Sequence, residues 1–144
     1  MITVDTNVLL RYLLWDDEIQ SVKADRLING SVPVLITDVV LTETLWTLRG
    51  KKYRVDKTTL IAVVNSLFEE PNICFEDAQT VWRALNDYRH GKPFKVGIKK
   101  KEADFADALI VNKAKYYVSE KDEVFDGVYT FDLAAQEIPG TVKP

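Results

Sequence analysis

Three acids stand out by where they fall in the chain: Asp5, Glu43 and Asp107. Asp5 follows a short β-branched run, Ile2-Thr3-Val4, and precedes a helix-forming stretch. A carboxylate in that position belongs at the carboxyl edge of a sheet, where open α/β folds do their work. It also has the chemistry of a helix N-cap, a task that Thr6 and Asn7 can share. Glu43 has Val39, Val40, Trp46 and Thr47 as helical neighbours three and four positions away, a largely apolar flank. An unpaired charge buried in such a place is costly and usually pairs or binds a metal. A surface position paired with Arg49 is the plainer alternative. The strongest local signal is the segment 103–111, in which seven of nine residues are apolar. It reads as a helix buried nearly all round. Its two polar residues, Asp104 and Asp107, share one face at i, i+3, where like charges oppose each other, so the pair suggests a cation. Asp104 as N-cap, with Asp107 in the favourable first turn, is the alternative. Asp132 closes Tyr129-Thr130-Phe131 as Asp5 closes the first run, and it can equally cap the turn that follows.

One chemistry accounts for all five acids. Hard divalent cations take oxygen ligands, commonly one or two carboxylates with water and substrate phosphate. A bound ion of this kind lowers the pKa of its water and offsets charge on an in-line phosphoryl transition state. A carboxylate set without His or Cys suits Mg²⁺ or Mn²⁺ and not zinc. The chain has one His and one Cys, so a His/Cys zinc site is excluded.

The elements that must position these acids alternate. Strands are expected at 2–4, 32–36, 73–75 and 127–131, with a last short one near Ile138. Helices are expected at 8–14, 17–29, 38–49, 57–69, 76–88 and 104–117, with a helical turn at 132–136. Gly50 and Pro71 act as stops, and 91–101 reads as a loop holding Gly91, Pro93 and Gly97. The period of 3.6 is clearest at Leu60, Ile61, Val64, Leu67 and Phe68. Strands alternating with helices imply a parallel sheet covered on both faces. The strand-end rule then directs attention to Asp5, Asp38 and Asp132.

The bulk properties agree with one domain over 1–144. The chain is 47% hydrophobic and 10% aromatic, and at 144 residues it can bury about 70% of its unfolded surface. Cys74 sits in an apolar run and is expected as a buried structural thiol. No apolar run nears the ~20 residues of a membrane span, and the N-terminus lacks a basic region and a cleavable apolar stretch. A cytoplasmic protein is expected. The net charge of −3 argues against a passive nucleic-acid binder but leaves a metal-dependent enzyme open.

At this point the residues resemble a known family. The run Ile2-Thr3-Val4-Asp5-Thr6-Asn7 is similar to the N-terminal motif of PIN domains, a hydrophobic strand followed by Asp-Thr-Asn/Ser. Leu41-Thr42-Glu43-Thr44-Leu45-Trp46 resembles their second motif, Asp107-Ala108-Leu109-Ile110 their third, and Tyr129-Thr130-Phe131-Asp132 their fourth. The likeness covers essentially the whole chain, with the motifs in order. It implies a Rossmann-like α/β/α sandwich with a central, mainly parallel sheet and Mg²⁺- or Mn²⁺-dependent cleavage of RNA. By length the chain most resembles the VapC toxins of prokaryotic toxin–antitoxin pairs. The resemblance therefore implies a homodimer and a VapB-like antitoxin partner. It makes Asp5, Glu43 and Asp107 metal ligands, with Asp104 and Asp132 contending for the fourth place. Thr6, Asn7 and Thr130 become polar groups that orient the carboxylates.

Several features lie outside the motifs. Lys92, Lys95, Lys99, Lys100 and Lys101 make the segment before Asp104 basic, either a solvated loop or a phosphate-contacting rim. Trp15, Trp46 and Trp82 have the chemistry to stack on bases, but Trp46 and Trp82 fall in helical stripes and are expected in the core. Val111-Asn112-Lys113 stands where small residues are commoner in the family. Leu9, Leu10, Leu13, Leu14 and Trp15 make the first helix apolar for a short surface element, which favours a dimer. Two other readings compete. A haloacid-dehalogenase-like phosphotransferase also places Asp after its first strand but wants a second Asp two positions on, where this chain has Asn7. A PIN-like module that binds RNA or protein without cleaving it is the other.

Overall fold

The computed structural model describes all residues, 1–144. They form two compact units, 1–76 and 77–144.

The first unit alternates strand and helix. Its elements are β1 (Ile2–Thr3), α1 (Thr6–Leu14), α2 (Glu18–Ile28), β2 (Val34–Ile36), α3 (Asp38–Arg49), α4 (Lys57–Glu69) and β3 (Ile73–Phe75). The strands form one parallel sheet in the order β1-β2-β3. Thr3 pairs with Leu35, and Leu35 pairs with Cys74. Parallel neighbours require a crossover, and each crossover here is a pair of helices. Side-chain caps start all four helices. Asp5, Asp17, Thr37 and Asp56 each accept from a backbone N–H of the first turn, a contact worth about 1 kcal/mol. Because the strands are parallel and in register, Asp5 and Thr37 each stand two residues beyond a paired position, on the same carboxyl edge. Glu76 stands on that edge too, and its Oε2 accepts the Asp38 N–H at 2.5 Å. Leu9, Ile28, Ile36, Leu41, Leu48 and Val64 are fully buried.

The second unit holds α5 (Ala78–His90), β4 (Phe94–Val96), β5 (Lys99–Lys101), α6 (Phe105–Ser119), β6 (Val128–Tyr129), a 3-10 turn (Ala135–Glu137) and β7 (Thr141–Val142). α5 and α6 pack on each other through Tyr88 and Phe105, whose rings meet edge to face at 6.0 Å. Asn112 is buried on α6, and its Nδ2 donates to Asp87 of α5 and to Ala108 O, both at 2.8 Å. The polar residue that departs from the family pattern is thus satisfied as a tie between helices.

The α/β class and the parallel sheet are as expected, and several details differ. Residues 91–101 are not all loop. β4 and β5 pair antiparallel about Gly97-Ile98, with Val96 opposite Lys99. Gly97 takes φ +62°, the left-handed conformation that a two-residue hairpin turn demands at its first central position. The run of lysines hid the strand pattern, because β5 is lysine throughout and only Phe94 and Val96 of β4 give an apolar alternation. The last strand is β7, three residues beyond Ile138, which is buried instead. Helix α5 begins after Asp77, which outcompetes Glu76 as cap by accepting from Gln79 and Thr80. Trp46 and Trp82 are not core: they are 71% and 51% exposed. Their stripes are carried inward by the smaller Leu45, Leu48, Val81 and Leu85. Helix α6 is buried on most of its first half but leaves Ile110 exposed. Cys74 is only half-buried.

Candidate metal centre

The first unit contributes two of the expected acids. Asp5 ends β1 and caps α1, its Oδ1 accepting the Val8 N–H at 2.9 Å. The side chain is exposed and borders a cavity of about 290 Å³ with Asn7, Arg11 and Lys23. One carboxylate oxygen is committed to the cap, and the cap fixes its orientation. Glu43 is exposed on α3, so the apolar flank expected around it is an outward one. Its Oε2 accepts the Thr6 hydroxyl at 2.6 Å. Thr6 is the residue after Asp5, so this bond ties Glu43 to the helix start that Asp5 caps. Glu43 also lines a shallow cavity of about 250 Å³ with Asp38, Val39 and Thr42.

The second unit gathers the other three. Asp104 and Asp107 form a capping box at the start of α6, in which the Asp104 N–H donates to Asp107 Oδ2 at 2.7 Å. This is the structural alternative foreseen for the pair, and it leaves the acidic charge in place. The Asp107 carboxyl is held above the usual range. Burial is the main cause, opposed by the Asp104 N–H; the charges of Asp104 and Asp132 add to the rise. The three acids therefore share one electrostatic neighbourhood. Asp132 Oδ1 accepts the N–H groups of Ala134 and Ala135, at 2.8 and 3.3 Å, so it too caps a turn. Thr130 does not hold a carboxylate; its hydroxyl accepts the Asp132 N–H at 3.0 Å. It does line a cavity of about 190 Å³ with Asp107, Val111 and Tyr129.

Within neither unit do three carboxylate, imidazole or thiolate side chains close around a point where a metal ion would sit. Each unit instead presents a partial set made only of oxygen donors. Such a set suits a hard divalent cation, and Asp107 in particular is a carboxylate whose charge a cation would relieve. Asn7 lines the Asp5 cavity, while Thr6 is the hydroxyl that orients an acid. Lys95, Lys99, Lys100 and Lys101 are exposed on the β4–β5 hairpin. Glu76 escaped the sequence reading, although the signal was there: it follows β3 as Asp5 follows β1.

A family model for the PIN domain matches residues 2–136. Among solved structures, the chain is similar to the Mycobacterium tuberculosis VapC20, a sarcin-ricin loop cleaving toxin. The two are 21% identical over 100% of each chain, with a TM-score of 0.41. No relative is found among curated proteins.

Proposed function

The chain belongs to the PIN-domain family, and from that premise we propose that it is a metal-dependent endoribonuclease, the toxin of a VapBC-type pair. The observation that carries the reading is the Thr6–Glu43 hydrogen bond, which ties the acid of the second family motif to the residue that follows Asp5 in the first. By the family resemblance Asp5, Glu43 and Asp107, with Asp104 or Asp132, would be the ligands of Mg²⁺ or Mn²⁺. Such an ion supplies an activated water and offsets charge on the scissile phosphate. The chain's own residues do the rest. The Thr6 hydroxyl fixes one oxygen of Glu43. The α1 cap fixes Asp5. Lysines of the hairpin would neutralise backbone phosphates of the substrate. The family match runs across both units, which supports a single domain over 1–144. A homodimer and a VapB-like antitoxin partner belong to the same reading. No helix is long and apolar enough to cross a membrane.

The test is RNA cleavage in Mn²⁺ or Mg²⁺ by the parent protein, Asp5→Asn and Glu43→Gln. Both variants should lose at least a hundredfold in rate while keeping the parent's circular dichroism. Activity that survives EDTA, or survives both substitutions, overturns the metal-carboxylate reading. A PIN module that binds without cleaving is the second reading. On its side is the fact that neither unit alone closes three ligands around an ion. RNA binding without turnover in either metal would select it.

A further inference from the structure

Helix α3 carries more than Glu43 on its outer face. Trp46 lies three residues on, the i+3 neighbour of Glu43, and its indole is 71% exposed. Val39, the i−4 neighbour, is exposed as well and lines the cavity that Glu43 borders. The surrounding positions Asp38, Thr42, Glu43 and Thr47 are polar, so this is an isolated aromatic plate beside a carboxylate and not a broad apolar patch.

The helix then runs into a basic turn. Residues 49–54 read Arg-Gly-Lys-Lys-Tyr-Arg, with four cations and no acid. Lys51, Lys52 and Arg54 are exposed. The turn is tied down by Arg54 N–H to Gly50 O at 2.8 Å and Val55 N–H to Leu48 O at 2.9 Å. Lys52 Nζ stands 5.1 Å from the Tyr53 ring centroid. Arg49 contributes to lowering the Asp56 carboxyl, and Lys52 contributes to lowering that of Asp16. From Glu43 to Arg49 the helix rises about 9 Å, a reach of one or two nucleotides.

We propose that this face of α3 and the turn after it form a track for single-stranded RNA, in which Trp46 stacks on a base and Lys51, Lys52 and Arg54 hold phosphates. The inference rests on the ribonuclease reading and narrows its substrate to unpaired RNA. Stacking needs an exposed π-face and tolerates any base, and a mobile backbone needs point charges more than shaped contacts. The pairing of an exposed aromatic face with a cluster of cations selects RNA, whose strand offers a base to stack and phosphates to neutralise side by side.

The experiment measures binding of a fluorescein-labelled ten-nucleotide oligouridylate to the full chain carrying Asp5→Asn, which keeps the RNA intact. Adding Trp46→Ala should weaken binding about tenfold, in line with the loss of one stacked base. Trp46→Tyr should stay within about threefold. Lys51→Gln, Lys52→Gln and Arg54→Gln together should flatten the slope of log affinity against log salt by about 2, at ~0.7 per phosphate contact. On duplex RNA the Trp46→Ala effect should vanish. Single-strand binding unchanged in both variants overturns the track. So does a Trp46→Ala protein that binds RNA normally but falls from dimer to monomer on sizing, which assigns the face to a second copy. The outcomes separate from those of the parent reading. A parent that cleaves RNA while Trp46→Ala cleaves and binds equally well loses the track alone. A parent that binds through Trp46 but cleaves nothing keeps the track and loses the nuclease.

Discussion

At Thr6 a single hydroxyl holds Glu43 at 2.6 Å, which makes that threonine the most exposed test of the proposed centre. Thr6→Val keeps shape and removes the donor. Its activity should fall 10- to 100-fold, the usual cost of losing a group that orients a ligand, with the melting temperature nearly unchanged. A steady-state cleavage assay beside a thermal scan separates the two. Asp107 gives a prediction about stability. Its carboxyl is raised mainly by burial, so folding favours the protonated form. The stabilisation is complete below the ordinary carboxylate range near pH ~3.9 and is lost as pH rises through the raised value. In metal-free protein at neutral pH, Asp107→Asn should therefore melt higher than the parent, since its amide oxygen can still accept from Asp104 N–H. The gap should close as the solution is acidified. A variant less stable at every pH would contradict the origin assigned to the shift.

At the scale of the element, the contact between α1 and the end of α4 can be titrated. The Tyr12 hydroxyl donates to Glu70 Oε1 at 3.0 Å, and burial with that carboxylate pushes the phenol up to about 12. The bond contributes below pH ~10, where free tyrosine is neutral, and is lost as pH rises through 12. Tyr12→Phe should cost about 1 kcal/mol at pH 8 and progressively less between pH 10 and 12, measured by urea unfolding. Elements were also where the sequence was most legible. Helix starts were read closely because Asp17, Thr37 and Asp56 announce them with side chains that now cap. The β4–β5 hairpin is hard to read because β5 is lysine throughout, which leaves only the short Phe94-Lys95-Val96 alternation and Gly97 to mark it. The tryptophans were misplaced for the converse reason. A helical stripe counts apolar residues without saying which of two adjacent rows turns inward, and Leu45 and Leu48 took the inner row from Trp46. The candidate acids were legible as strand ends and helix starts. Their second use as caps was foreseen for Asp5, Asp104 and Asp132, whereas the bond from Thr6 to Glu43 joins positions 37 residues apart and has no local signature.

At the scale of the whole chain, the family match across 2–136 and the division at Glu76 set up a test of the single-domain proposal. One domain should unfold in one step. With Trp15 replaced, Trp46 reports on the first unit and Trp82 on the second. Variants keeping one or the other should give the same urea midpoint, and both should coincide with circular dichroism. Midpoints that separate would make the units independent. The β4–β5 hairpin has a further consequence. Exposed lysines crowd a short, two-stranded projection whose tip, Ile98, is fully solvent-exposed. Exposed tips are where proteases nick folded chains, and trypsin cuts after lysine. The hairpin is thus a built-in footprinting reporter, since whatever ligand settles over those lysines announces itself as a band that trypsin no longer cleaves.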